Sequence, residues 1–274
     1  MSASTLCLVA CVSTHTLAAD LAPPPVAPAD TGWLVTIGAG PQALRSFPGA
    51  GTYIAAPIGH FDYRRANEPE SFYAPDDGFG VALLNLGWIK AGPVGGFVPR
   101  RGLSNGNGNF YGLHNVDLTI QGGGFVEIWL ADFLRTRLEL RQAFNGNHGL
   151  QGNVAIDAVE RFGPATLSIG PRMVLGNGTF MNAYFSVTPF EAAANGRVTP
   201  FQASGGVMSV GGLASAKFDI SRNWSVSIFG GYQRLVNSAA ESPIPNKLGS
   251  LNAASAGGIL AYSFDFKGLG ILGF

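Results

Sequence analysis

The 274-residue sequence has only two cysteines, Cys7 and Cys11, so the chain after them has no thiol for a disulfide or a thiolate metal site. Charge is also scarce: 12% of the residues are charged, about half the usual ~25%. The 17 basic residues balance the 17 acidic ones, which excludes the basic excess of a broad nucleic-acid surface. No uninterrupted apolar stretch approaches the ~18 residues of a transmembrane helix. Glycine is abundant, with 39 residues, and 46% of the chain is apolar, which excludes a disordered chain. A soluble all-β protein or a membrane protein built from strands remains.

The amino-terminal segment is typical of secretion. Residues 1–19 combine an apolar run with small residues at the end, so we expect a signal peptide cleaved after Ala19 or the alanine before it. The same run also resembles a lipoprotein signal, in which Cys11 is the acylated residue. Residues 20–31 are rich in proline and alanine and predict an extended periplasmic linker. A single barrel domain is expected over residues 32–274.

The remaining sequence alternates with a period of two over unusually long segments. From residue 134 to 144, apolar side chains share one face and charged side chains share the other. Similar segments run over residues 116–131, 165–175, 214–221, 224–233 and 254–265. A soluble sandwich has strands of about five or six residues with charges outside, whereas a lipid-facing wall needs ~9–11 tilted residues. The pattern therefore predicts an all-β fold, a single transmembrane antiparallel up-and-down β-barrel in contact with lipid in the outer membrane of a Gram-negative-type bacterium.

The connections indicate the number of strands. From Val116 onward, short and long connections alternate, as periplasmic turns and external loops do in outer-membrane barrels. This pattern predicts seven strands after the SNGNGN loop. Five more are predicted before it, at 33–40, 52–64, 70–75, 78–87 and 89–100. The total is about 12 strands, or 10 if the early ones merge. Between two of these strands, Asp76-Asp77-Gly78 predicts a tight hairpin turn rather than a cation site.

Charged residues concentrate on the predicted inner face. The acids are Asp117, Glu127, Glu139, Asp157 and Asp219, and the bases are Arg135, Arg137, Arg141, Arg161, Arg172 and Lys217. A nearly balanced set predicts a salt-bridge network that blocks the lumen. The alternative is a narrow anion-preferring pore lined by the arginines. Neither a nucleophile nor a pair of histidines with metal-ligand spacing accompanies these charges, so no enzyme activity, catalytic residue, metal or cofactor is expected.

Several segments resemble the MipA/OmpV family of outer-membrane proteins. The segments are Leu134–Gln142, Gly170–Arg172, Tyr184–Thr188, Trp224–Ser250 and the closing Tyr262-Ser263-Phe264. The resemblance covers the chain after the predicted signal peptide and is clearest over residues 116–264. Family members usually stop at the closing aromatic residue, whereas this chain continues to Phe274. Either Phe264 or Phe274 therefore serves as the barrel-assembly signal.

The resemblance implies a non-enzymatic scaffold for peptidoglycan remodelling. Its expected partners are a murein hydrolase, which is a lytic transglycosylase, and a murein synthase, which is a penicillin-binding protein. Other members of the family resemble porins or adhesins. A small-solute, anion-leaning porin or a surface adhesin that uses the loops at 101–115, 176–206 and 236–252 is therefore the alternative.

Overall fold

The computed structural model describes residues 32–68, 70–102 and 108–266. The predicted signal peptide at 1–19, the acylation at Cys11, the linker at 20–31 and the terminal Phe274 all lie outside the described residues.

The described chain is almost entirely β-structure. The strands are β1 Trp33–Arg45, β2 Tyr53–Arg65, β3 Phe79–Gly80, β4 Leu84–Asn85, β5 Ile89–Val98, β6 Thr119–Ala131, β7 Leu134–Ala143, β8 Leu150–Phe162, β9 Ala165–Gly176, β10 Gly206–Asp219, β11 Trp224–Leu235 and β12 Asn252–Phe266. The helices are α1 Gly178–Phe185, α2 Pro189–Asn195, α3 Asn237–Glu241 and a π-helical turn, Ile244–Leu248. No helix in the described ranges is long and apolar enough to cross a membrane.

All strands pair antiparallel in one sheet with the order β2-β1-β12-β11-β10-β9-β8-β7-β6-β5-β3, and β4 also pairs with β5. The first strand lies beside the last, where Trp33 is opposite Phe266 and Ala43 is opposite Ala256. This pairing curls the sheet into a barrel. No ladder joins the edge strands β2 and β3 among the described residues, so the barrel is nearly closed. The predicted antiparallel up-and-down barrel is confirmed.

The two faces of the wall follow the predicted alternation. In β7, Leu138 and Leu140 are 47% and 56% exposed on the outside, whereas the alternating Arg137, Glu139 and Arg141 are buried inside. Aromatic side chains contact each other in pairs at one end of the wall: Trp33 and Tyr63 stack with ring centroids 4.3 Å apart, and the tilted rings of Trp224 and Tyr262 are 4.8 Å apart. An apolar band with aromatic residues at its border is the lipid-facing wall of a bacterial outer-membrane protein, and the barrel lies in that membrane.

The connections at the two barrel ends differ in length. At the periplasmic end, residues 132–133 and 163–164 form tight turns. At the external end, the longer connections fold together into one structure, which we call the external cap. Its buried core includes Phe47, Phe110 and Phe185 from three different connections. The predicted external loops therefore cover the outer mouth as a packed layer.

The predicted strand at 70–75 is wrong. After β2 ends at the periplasmic side, the chain turns back inside the barrel, and residues 70–78 form what we call the lumenal segment. Within it, Ala74 is fully buried against inward side chains of the wall that include Ile58 and Phe229. The wall resumes only at Phe79, which pairs with Gly95 in the middle of β5. The segment enters the lumen because its aromatic and acidic side chains find partners on the opposite wall.

Two further predictions change with this path. The predicted strand at 78–87 is split into β3 and β4, although backbone hydrogen bonds from Val81 and Leu83 to β5 keep the two pieces in line. Twelve strands are still present because this split replaces the lost strand. A tight turn is present at residues 74–77, where the Asp77 N–H donates to the Ala74 carbonyl at 2.9 Å. It joins no pair of strands, so the predicted hairpin at Asp76-Asp77-Gly78 is wrong, and the two aspartates bind arginines inside the lumen.

Candidate functional site

Strand register gathers charged side chains on the inner wall. Between β6 and β7, Glu127 lies opposite Arg137, and between β7 and β8, Arg135 lies opposite Asp157. Directly opposed residues have Cβ atoms about 5 Å apart, close enough for their side chains to meet. Three neighbouring strands therefore present one continuous charged patch to the lumen.

Arg135 is the centre of this patch. It is fully buried, and its guanidinium bonds to carboxylates from three directions. Nη2 lies 2.8 Å from Glu127 Oε2, and Nη1 lies 2.9 Å from Asp157 Oδ2. The third partner is Asp77 of the lumenal segment, at 2.5 Å from Nη2. Phe72 of the same segment lies against the guanidinium, with 5.2 Å between Arg135 Cζ and the ring centroid. The lumenal segment is thus held by both charge and aromatic contact.

A second arginine binds the same segment from β9. Arg172 contacts both carboxylate oxygens of Asp76, at 2.7 Å from Nε and 3.2 Å from Nη2. Arg172 Nη2 also lies 2.7 Å from Asp157 Oδ1. Asp157 therefore bridges Arg135 and Arg172, and each arginine holds one aspartate of the lumenal segment. A fork with two parallel contacts fixes geometry as well as charge.

The remaining contacts extend the network in both directions along the barrel axis. Arg137 Nε lies 2.8 Å from Glu139 Oε1, and the Gly78 backbone N–H donates to the same oxygen at 3.0 Å. Lys90 donates to Ser71 Oγ at 2.6 Å and lies 4.0 Å from Glu127. We define the charge cluster as Lys90, Arg135, Arg137, Arg141, Arg172, Asp76, Asp77, Glu127, Glu139 and Asp157. Its formal charges cancel.

The residues predicted for the inner face divide into groups. Those found in the charge cluster are Glu127, Arg135, Arg137, Glu139, Arg141, Asp157 and Arg172. Lys217 pairs instead with Asp219 at 3.1 Å and with Glu70 at 2.5 Å, nearer the periplasmic end. Arg161 is exposed and lies over the Trp129 ring. Asp117 precedes β6, is exposed and takes part in no ion pair within the described ranges.

Four charged residues that form ion pairs inside the barrel were not predicted from the sequence. Glu70, Asp76 and Asp77 belong to the lumenal segment, which was predicted to be wall and turn. Lys90 stands at the start of β5 and was not assigned to a face. The one available signal was an acidic pair close to aromatic residues in a segment with little regular alternation. That signal does not reveal which wall arginines are the partners.

The lumenal segment and the charge cluster divide the lumen. Toward the external cap lies an outer chamber of about 320 Å³, lined partly by Asp76, Asp77 and Arg137. Toward the periplasm lies an inner chamber of about 240 Å³, lined partly by Tyr73 and Pro75. The ion pairs described above occupy the space between the two chambers. Among the residues that the structure describes, no group of three or more His, Cys, Asp or Glu side chains is placed to hold a metal ion.

Comparisons with known proteins identify one family and several similar solved structures. The family model described as MltA-interacting protein MipA matches residues 37–264. Among solved structures, the chain is similar to an outer membrane channel from Pseudomonas putida F1, with 10% identity, 88% of this chain and 100% of that chain covered, and a TM-score of 0.44. It is also similar to the CymD monoaromatic hydrocarbon channel, with 10% identity, coverage of 86% and 89%, and a TM-score of 0.35. No curated protein matches it by sequence.

Proposed function

Because the chain belongs to the MltA-interacting protein MipA family, we propose that it is a non-enzymatic scaffold in the outer membrane. In this role it links a murein hydrolase, which is a lytic transglycosylase, to a murein synthase, which is a penicillin-binding protein, during peptidoglycan remodelling. The family name is the source of the hydrolase partner. The synthase partner comes from the resemblance of the sequence motifs.

The occupied lumen is the observation that supports this proposal most. The lumenal segment fills the middle of the barrel, and its carboxylates are bound by Arg135 and Arg172. The external cap covers the outer mouth with a hydrophobic core. A barrel filled in this way offers its two ends, rather than a passage, as functional surfaces. The periplasmic end faces the peptidoglycan and is the surface where both partners would bind.

Site-specific photo-cross-linking tests the scaffold role. Arg222 lies in the exposed periplasmic turn between β10 and β11, and Arg197 lies exposed in the external cap, so they form a matched pair on opposite ends. With a photoreactive residue at position 222, we expect covalent adducts with a lytic transglycosylase in living cells. The same residue at position 197 is expected to give none. Absence of the adduct from position 222 and from the other periplasmic turns would count against the scaffold.

A small-solute porin that favours anions is the second candidate. The outer chamber is lined by four arginines and three carboxylates, and this small excess of positive charge favours anion entry from that side: Arg45, Arg137, Arg141, Arg172, Asp76, Asp77 and Glu139. Against this role, the lumenal segment blocks the route to the inner chamber. A porin requires a conducting lumen, so single-channel recording separates the two candidates.

A surface adhesin is the remaining alternative. Phe190 and Tyr111 are large side chains exposed on the external cap. Exposed aromatic residues on a structured surface favour protein contact. Replacing both with serine would abolish adherence of expressing cells if the cap is the adhesive surface, and unchanged adherence would exclude that role for these residues.

A further inference from the structure

The outer chamber combines apolar walls with a floor of paired charges, in which Arg141 is the least compensated group. Its volume of about 320 Å³ lies within the range of about 300–1,000 Å³ that is typical of small-molecule sites. Leu44, Val174 and Leu235 contribute apolar surface from the inward faces of β1, β9 and β11 near their external ends. Arg141 lies at the charged floor. The chamber therefore offers one apolar region and one charged region to a ligand.

Arg141 is the least compensated arginine of the charge cluster. It is only 8% exposed, yet its nearest carboxylate oxygen, Glu139 Oε2, is 3.7 Å from Nε, and Nε has no hydrogen-bond partner. The other oxygen of Glu139 is already bound by Arg137 at 2.8 Å. By contrast, Arg135 and Arg172 each have carboxylate oxygens within hydrogen-bonding distance. A buried guanidinium with so little countercharge favours an additional anion.

Two neutral amides also lie near Arg141. Gln151 lies directly opposite Arg141 in the β7–β8 register, and Asn153 lies two residues further along the same strand. With its amide oriented to satisfy its neighbours, Asn153 accepts a hydrogen bond from Arg141 Nη2. Both amides line the outer chamber and supply hydrogen-bonding groups but no charge. They position a ligand without replacing the missing countercharge.

We propose that the outer chamber binds a small amphipathic carboxylate. The carboxylate group pairs with the Arg141 guanidinium beside Gln151, and the apolar part packs against Leu44, Val174 and Leu235. Arginine binds carboxylates through two parallel N–H donors, which makes this pairing stronger than a neutral hydrogen bond. A neutral amide of the same length gains only the apolar contacts and lacks the charge that pairs with Arg141. This site is independent of the proposed scaffold role.

Isothermal titration calorimetry on the folded full-length protein in detergent tests the proposal, with octanoate and octanamide as probes and empty micelles as the blank. We expect saturable binding of octanoate with one site per barrel and at least tenfold weaker binding of octanamide. Arg141→Gln is expected to weaken octanoate binding at least tenfold. Arg161→Gln is the matched control, because Arg161 lines the inner chamber, and it is expected to leave binding unchanged.

Three results would overturn the site. They are octanoate heats equal to those of empty micelles, equal affinity for octanoate and octanamide, and equal weakening by Arg141→Gln and Arg161→Gln. Folding of each variant is checked by the change in electrophoretic mobility on heating. If Arg141→Gln does not fold, the comparison of octanoate with octanamide on the unmodified protein still tests whether the chamber prefers a carboxylate. Arg141→Lys, which keeps the positive charge, is expected to retain the preference for octanoate.

Discussion

The charge of Asp77 is expected to hold the lumenal segment against the barrel wall. This carboxylate joins the lumenal segment to Arg135 and, at 3.6 Å, to Arg137, and it also accepts the Ala74 N–H at 3.0 Å. Asp77→Asn keeps the size of the side chain and removes its charge. We expect the substitution to release the lumenal segment from the wall more often, without changing the strands.

The free-energy cost of Asp77→Asn depends on the carboxylates that remain around Arg135. Removing one member of a buried ion pair costs about 3–5 kcal/mol. Arg135 keeps Glu127 and Asp157 as partners after the substitution, so we expect the lower end, about 3 kcal/mol. Since about 1.4 kcal/mol corresponds to a factor of ten, the population of the released segment should increase roughly 100-fold.

Thiol labelling measures this population. Ala74 is fully buried in the lumenal segment, and the described residues contain no cysteine, so Ala74→Cys is a reporter that reacts only when the segment opens. In this background, Asp77→Asn should increase the rate of labelling by a membrane-impermeant maleimide roughly 100-fold, provided that reclosing is faster than labelling. The protein without Ala74→Cys, treated with the same maleimide, measures the background labelling.

Asp132→Asn is the control, because Asp132 lies in the exposed β6–β7 turn and takes part in no ion pair within the described ranges. It should leave the labelling rate unchanged. An equal labelling rate in the Asp77→Asn variant and its parent would refute the conclusion that charge holds the segment in the lumen. A similar increase in both variants would show a general loosening of the barrel.

Two further predictions concern the external cap and the wall. Burial raises the pKa of Glu191, but hydrogen bonds from Thr188 and His114 outweigh burial and lower the pKa to about 2. The stability this gives to the external cap is present above the unfolded pKa of about 4.3 and is lost as the pH falls toward 2. Hydrogen–deuterium exchange of the external cap, corrected for intrinsic rates, should therefore rise between pH 4 and 2, and Glu191→Gln should remove this rise; a pH-independent profile in the parent would contradict it. In the wall, a Cβ on Gly170 would lie 1.7 Å from a backbone carbonyl oxygen of β8, whereas a Cβ on Gly230 would meet nothing within 4 Å. Gly170→Ala should lower the free energy of unfolding by about 1–3 kcal/mol in urea titrations, more than Gly230→Ala, and equal values would contradict the packing.

Local alternation was enough to predict most of the wall. Residues 134–141 place leucines outside and charges inside, and β7 follows that pattern along its length. The predicted ends of the strands were less accurate, since β1 continues to Arg45 rather than ending at residue 40. The reason is that the last residues of β1 are extended by pairing with β2, through contacts such as Arg45 opposite Tyr53, which a single-strand pattern does not contain.

The lumenal segment could not be predicted in the same way. Its residues lie near each other in sequence, but their partners come from distant strands, as in Asp76 with Arg172 and Glu70 with Lys217. A periodic pattern describes the two faces of a wall and contains no information about what enters the lumen. The near balance of predicted inner charges did indicate that arginines would be neutralised. Two of the neutralising carboxylates, Asp76 and Asp77, come from the interior and not from the wall.

Buried ion pairs are costly to assemble and contribute more to specificity than to net stability in several proteins. In this barrel, the charge cluster joins the lumenal segment to β7 and β9 through Arg135 and Arg172. An apolar segment of equal size would pack against the wall without this fixed register. We infer that the cluster serves to hold one defined path of the chain through the lumen.

Planar-bilayer recording of the purified, folded protein tests the closed lumen most directly. The account predicts insertion into the bilayer without unitary conductance steps, because the lumenal segment and the charge cluster separate the outer and inner chambers. Stable unitary steps from the unmodified protein would contradict it and would make the porin the leading function.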